Sequence, residues 1–304
     1  NKGRGNFDTI RIEYYSDYDA AFEGFKAGNY TFRNEASSIK WATGFDFPEV
    51  ANGQITKVEL PNGNKATGQA FVFNLRRDKF QDPRVREAIG LMFNFEWSNA
   101  TLFYDLYARI NSVWENSWLE AKGTPSPEEA AILQPLVTEG LLPATILTEE
   151  AVMAPASGAR QLDRANLRRA SDLMDQAGWA VGSDGMRRNA AGQVLSVEML
   201  NDSPSFDRIM NPFIENLKAL GVDARLTRVD NAQMEARTRP PSYDFDMITG
   251  NARSNYISGS ELKQYYGSET ADVSAFNIMG LKSPAVDKLV DVVWMAEEII
   301  GRPL

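Results

Sequence analysis

Acidic side chains fall in close pairs at Asp17/Asp19, Glu128/Glu129, Asp244/Asp246 and Glu297/Glu298. Two carboxyls held about 5 to 9 Å apart across a sugar could run glycoside hydrolysis. The pairs read more simply as solvated or helix-capping groups. The chain has no Cys and no His. That excludes a disulfide framework, a Cys-His zinc site, a cysteine nucleophile and a Ser-His-Asp triad. No segment matches the calcium loop with Gly at its sixth and Glu at its twelfth position. Carboxylate chemistry, lysine chemistry and plain binding remain. Trp41, Phe45, Trp97, Trp114, Trp118 and Tyr256 fall in or near loops, where a ring can be a platform for a peptide or a sugar. Arg253, between Asn251 and Asn255, follows a strand end, where a guanidinium can hold a carboxylate through two bonds.

The elements that must position these groups are legible in part. Residues 7–15 (FDTIRIEYY) alternate as a half-buried strand does. Asp17 caps a helix closed by Gly28, and residues 30–33 form a second short strand. Residues 55–60 alternate again, and the apolar run 69–74 reads as a central strand. Asp82-Pro83 opens a helix whose Val85, Ala88, Ile89, Met92 and Phe93 share one face. Residues 111–165 are irregular, with a helix at 127–134; an excursion that long is usually functional or wraps a core. Asp163 or Asn166 caps a helix ending at Gly178. A small hairpin and a strand through Leu195, Val197 and Met199 follow. Residues 205–220 are helical and closed by Gly221, 222–228 alternate as a strand, 231–237 are helical, and 244–250 form a strand. That strand–helix–strand–helix–strand order is an α/β unit whose strand-end loops are the default ligand edge. Ser283-Pro284 opens a last helix.

The chain holds 304 residues with 32 Lys+Arg against 41 Asp+Glu, a net charge of −9. A globally acidic chain lacks the basic face that nucleic acid requires. No apolar run is long enough to span a bilayer. The start, Asn1-Lys2-Gly3-Arg4, is polar and without Met, as expected of a chain that begins inside something longer or after processing. Absence of Cys suits an oxidising compartment.

Phe73-Asn74 followed by residues 80–89 (FQDPRVREAI) resembles the "FN…PF-D-RVR-A" stretch of the family 5 solute-binding proteins, the extracytoplasmic receptors of peptide and nickel ABC importers. Residues 7–32, 173–179 (LMDQAGW), 212–222 (PFIENLKALGV), 243–250 (YDFDMITG) and 283–287 (SPAVD) match further family segments in the same order. Arg33-Asn34-Glu35, the stretch Trp41 to Phe47 and Glu96-Trp97 resemble the YejA-like subgroup, which takes up oligopeptides and, in some members, the peptide-nucleotide antibiotic microcin C.

The resemblance implies an α/β fold of the type II (cluster C) periplasmic-binding-protein kind, two lobes with mixed sheets flanked by helices. It implies residues 1–73 as an incomplete middle segment of lobe one, 74–294 as lobe two, and 295–304 as a tail leading back toward lobe one. The N- and C-terminal parts of the family pattern are expected to be missing. The implied function is a periplasmic, monomeric receptor without catalysis, cofactor or metal. It would capture a peptide or peptide-like compound between its lobes and pass it to permease subunits in the inner membrane. The expected lining is Arg33, Glu35, Trp41, Phe45, Asn74, Asn201, Asp202, Ser205, Asn251, Arg253, Asn255 and Tyr256. Family members often carry Gly-x-Trp or an aspartate after the strand at Gly250; this chain has Asn251, Ala252 and Arg253. An oligosaccharide receptor of the same fold and a carboxylate hydrolase are the alternatives.

Overall fold

The computed structural model describes residues 5–61, 68–252 and 259–300, and these divide into two compact units. The first comprises Asn1–Asn62 with Phe103–Leu106; the second holds the rest. Gly68–Phe73 is a strand of the second unit's sheet.

The first unit is organised by helix α1 (Tyr18–Lys26). Asp17 Oδ1 accepts the Ala20 N–H at 2.7 Å and closes its N-terminus. Phe22 and Phe25 are its buried face, and both meet Phe45 with centroids 5.3 and 6.3 Å apart. Gly24 leaves room for Tyr15, whose hydroxyl would be 2.3 Å from any Cβ there. A π-helical turn, Lys40–Gly44, and the single-turn α2 (Pro48–Ala51) complete the unit. The expected strands at 7–15, 30–33 and 55–60 are not strands. Their chain is unladdered, and their apolar rows stand in solvent, Ile10 at 71% and Tyr14 at 88% exposure. Alternation reports which side chains want burial; a ladder also needs a neighbouring strand, and the described residues of this unit supply none.

The second unit is built on a four-stranded sheet in the order β1 (Gly68–Phe73), β6 (Met247–Ala252), β4 (Ser196–Asn201), β5 (Asp223–Arg228). β4 runs parallel to both neighbours, and β1 is antiparallel to β6. The run expected as a central strand is therefore an edge strand. Strand 244–250 begins later than expected, at Met247. Alternate residues feed two cores. Phe71, Phe73, Val197, Met199 and Met247 face α3 (Pro83–Leu91), α6 (Arg164–Gln176) and α7 (Asp207–Ala219). Val72, Leu200 and Ile248 face a smaller cluster with Tyr243 and Phe245. Asp82 and Asp163 cap α3 and α6 as expected.

Between α3 and α6 lie α4 (Phe95–Leu102) and α5 (Pro127–Thr138), the latter opened by a capping box of Ser126 and Glu129. The hairpin β2 (Ala180–Val181) and β3 (Arg187–Arg188) precedes β4. α8 (Asn231–Thr238), α9 (Gly259–Tyr266) and α10 (Pro284–Ile300) complete the chain, with α9 packed on α10.

Glu198, inside β4, has an exposure of only 12% and lies 2.6 Å from Arg237 Nη2. Burial pushes its carboxyl up, but hydrogen bonds to Arg237 and Thr227 and the charges of Arg237 and Arg225 outweigh that and hold its pKa below the ordinary 4.5. A depressed carboxylate pKa adds stability above the unfolded value and loses it as pH falls through the folded one. Glu198→Gln is therefore expected to cost about 1–2 kcal/mol near neutrality and to flatten the loss of stability below about pH 4.5. Urea melts from pH 7 to 3 check it, and parallel curves for the two proteins would contradict it.

Candidate functional site

Because β4, β5 and β6 are mutually parallel, Asn201, Arg228 and Ala252 end at one edge of the sheet. In open α/β sheets that carboxyl edge is where ligands bind. Its first loop is fixed from below. Asn201 is buried; its Nδ2 donates to Ser203 O at 2.6 Å and its Oδ1 accepts from Ser203 N at 3.2 Å. Arg228 pairs with Asp207, joining the end of β5 to the start of α7. This shapes the turn that carries half-exposed Asp202 and exposed Ser205 to the rim. Asn201 thus lies beneath the turn that carries Asp202 and Ser205. Asn251 occupies β6 opposite Gln69 at the same edge. Arg253, Asn255 and Tyr256 lie outside the described residues.

Asn74 is at the other edge. The antiparallel direction of β1 places Phe73 opposite Met247, the first residue of β6, and Asn74 N donates to Asp246 O at 2.9 Å. Its side chain is fully buried, and Nδ2 donates to Tyr243 O and Phe245 O, both at 2.9 Å. Asn74 is a post under the 243–246 turn, far from Asn201 and Asn251. Asp244 and Asp246 share that edge and are occupied: Asp244 takes Arg77 at 2.8 Å and Asp246 takes Lys79 at 2.7 Å. Among the described residues no group of three or more acidic side chains converges on a metal position.

In the first unit, Arg33 and Glu35 meet each other. Arg33 Nε donates to Glu35 Oε2 at 2.8 Å, with side-chain exposures of 7% and 2%. Glu35 also accepts from Tyr18 Oη and from Ser37 N. Burial alone would depress the Arg33 pKa, but its bonds to Glu35 and Tyr30 more than offset that and raise it. Burial and the Glu35 carboxylate push the Tyr18 phenol up. Arg33 Nη2 is buried without a hydrogen bond. The guanidinium carbon instead lies 4.6 Å from the Tyr18 ring centroid and 5.2 Å from that of Phe22. The pair braces α1 against the 33–37 segment rather than offering free charges.

Trp41 and Phe45 are half-buried neighbours, 6.1 Å between centroids. Lys57 Nζ stands 4.2 Å from the Trp41 centroid and donates to the Trp41 carbonyl. Sequence reasoning missed Lys57, since a lysine in an alternating segment gives no sign of its ring partner.

Two concavities in the second unit lie elsewhere. One, of 530 Å³, is lined by Arg77, Lys79, Asp82, Trp179 and Asn189. The other, of 590 Å³, lies along α5. Neither is lined by the described residues of the carboxyl edge. No helix among the described residues is long and apolar enough to cross a membrane.

The sequence is 41% identical to the probable peptide-binding protein YejA of Agrobacterium fabrum, over 95% of this chain and 47% of that protein. It is 36% identical to the uncharacterized protein YejA of Escherichia coli, over 98% and 48%. The chain thus spans about half the length of the curated relatives it matches. The fold resembles the oligopeptide-binding protein AppA of Bacillus subtilis, solved with a nonapeptide, at a TM-score of 0.61 and 17% identity, over 91% of this chain and 46% of that one. Residues 1–273 match the model for the middle region of the family 5 bacterial extracellular solute-binding proteins. On that match, and with this mixed α/β sheet flanked by helices, the chain belongs to the family 5 extracellular solute-binding proteins.

Proposed function

We propose that this chain is part of a periplasmic receptor that captures oligopeptides, or a peptide-like compound such as microcin C, and delivers them to an ABC permease without a catalytic step. The observation that carries the reading is the carboxyl edge of the β6-β4-β5 sheet. There Asn201 braces a polar turn presenting Asp202 and Ser205, and β6 brings Asn251 to the same rim. A polar edge can take a peptide main chain while leaving side chains in wet, tolerant surroundings. The likeness to a named peptide-binding relative supports it.

In this reading the first unit, with Trp41 and Phe45, belongs to lobe one, and closure of the lobes reports occupancy. In this reading Gly68–Phe73, which pairs with β6, goes with lobe two. The exposed rows of 7–15 and 55–60 are suited to pair with further strands of the same receptor. The receptor acts as a monomer.

The test is the full-length polypeptide purified under native conditions. Mass spectrometry after denaturation is expected to release a mixture of short peptides. Calorimetry of the stripped protein should show heat with an oligopeptide pool. Absence of both bound peptide and heat would overturn the reading.

A further inference from the structure

The excursion between α4 and α6 builds a groove that the peptide-receptor reading does not use. Its volume is 590 Å³. α5 forms the floor with Ile132 and Leu133, and a 3-10 turn, Ala144–Leu147, forms one wall with Ile146. The facing wall joins two loops through the Ala151 N–Gly123 O bond of 2.8 Å and carries Val152. Leu289 of α10 closes one end, and the Lys288–Glu139 pair ties α10 to the chain just past α5. Two contacts thus tie the lining segments of the groove together.

Its walls are apolar yet open to water: Ile132 is 47% and Val152 90% exposed. A small-molecule site buries most of its ligand. Side chains this exposed bury little of a small molecule but suit the face of an amphipathic segment. The rim sets the sign of that segment. Glu129, Glu149 and Glu150 border the groove, and the bordering cation, Lys122, is 3.1 Å from Glu120. Glu129 is committed to the Ser126 cap, while Glu149 and Glu150 are exposed. An acidic rim repels anionic lipid headgroups. A second copy of this chain, at −9, would meet the same repulsion.

We propose that this groove docks a basic amphipathic helix of a partner protein, with apolar side chains against Ile132, Ile146 and Val152 and flanking Lys or Arg at Glu149 and Glu150. The site is separate from the carboxyl edge and does not depend on what binds there.

The chain has no cysteine, so Thr145→Cys on the groove wall accepts one environment-sensitive dye within it. The probe is a synthetic helix of about 14 residues with Leu on one face and Lys on the other. The expected result is a saturable emission change that weakens as salt rises. Glu149→Gln/Glu150→Gln should weaken binding about five- to tenfold with an unchanged melting temperature. Ile132→Asp should abolish the response. A Leu/Glu helix of the same pattern should give none. A dye placed through Ser205→Cys should stay silent at concentrations that saturate the Thr145 label, which separates this site from the peptide site. Equal responses to both helices, or none to either, would overturn the proposal. So would a response to anionic vesicles, or one produced by raising protein concentration alone.

Discussion

Arg187→Ala is expected to lower the unfolding free energy by about 3–5 kcal/mol, the largest single effect in the second unit. Arg187 has 1% exposure, yet it is a permanent cation. Its fork is filled by Leu220 O at 2.8 Å, Trp179 O at 2.7 Å, Asp175 Oδ1 at 2.7 Å and Ser171 Oγ at 2.5 Å. Its backbone N–H also donates to Gly221 O at 2.8 Å. One side chain thus pins the β2–β3 hairpin to α6 and to the turn between α7 and β5. Alanine would leave the carbonyls without their donors and a void where the guanidinium packs. Lysine keeps the charge but cannot span the acceptors in a fork, so Arg187→Lys should recover only part of the loss. Asp175 is 56% exposed, so Asp175→Asn should cost about 1 kcal/mol or less. Urea denaturation at neutral pH checks the series; an Arg187→Ala loss below about 1 kcal/mol would contradict it.

The second large effect separates a structural post from a ligand contact. Asn74→Ala is expected to cost about 2–3 kcal/mol, because it strips Tyr243 O of its donor, leaves Phe245 O with only the longer bond from Arg77 Nε at 3.2 Å, and removes an acceptor from Arg76. Oligopeptide affinity of the protein that remains folded should be unchanged, since Asn74 is at the amino-terminal end of β6. Calorimetry and thermal melts on the same preparation distinguish the outcomes. An unchanged melting temperature with weakened peptide binding would return Asn74 to the ligand site.

Asn74 also shows what the sequence could not reveal. An apolar run closed by a polar residue looks like a strand feeding a ligand loop. The direction of β1 against β6 decides which edge that residue occupies, and that pairing joins positions far apart in the chain. The helices carried their own punctuation: Asp82 and Asp163 as caps and Gly178 and Gly221 past the ends, with φ of +82° and +91°. Such signals are local, and α3, α6 and α7 were legible from them. Rows such as Ile10, Ile12 and Tyr14 carried a strand's period without a neighbour to ladder with.

At the carboxyl edge, the position of the loop bearing Asp202 and Ser205 was legible because it follows an obvious α/β unit. The mutual burial of Arg33 and Glu35 was not, because two charges at i, i+2 read equally well as a solvated pair. Arg187 gave no signal at all, since a lone arginine in a short hairpin reads as surface. The carboxylate pair Asp244/Asp246 resolved once its cations, Arg77 and Lys79, were seen to come from the segment after β1.

The central claim is that the carboxyl edge of the second unit faces the captured peptide. Hydrogen exchange on the full-length polypeptide, with and without a saturating oligopeptide, tests it most directly. The account predicts slowed exchange at residues 201–206 and 249–252, with none at 74–79 or 187–194 on the opposite edge. Protection confined to that opposite edge, or to the groove along α5, would contradict it.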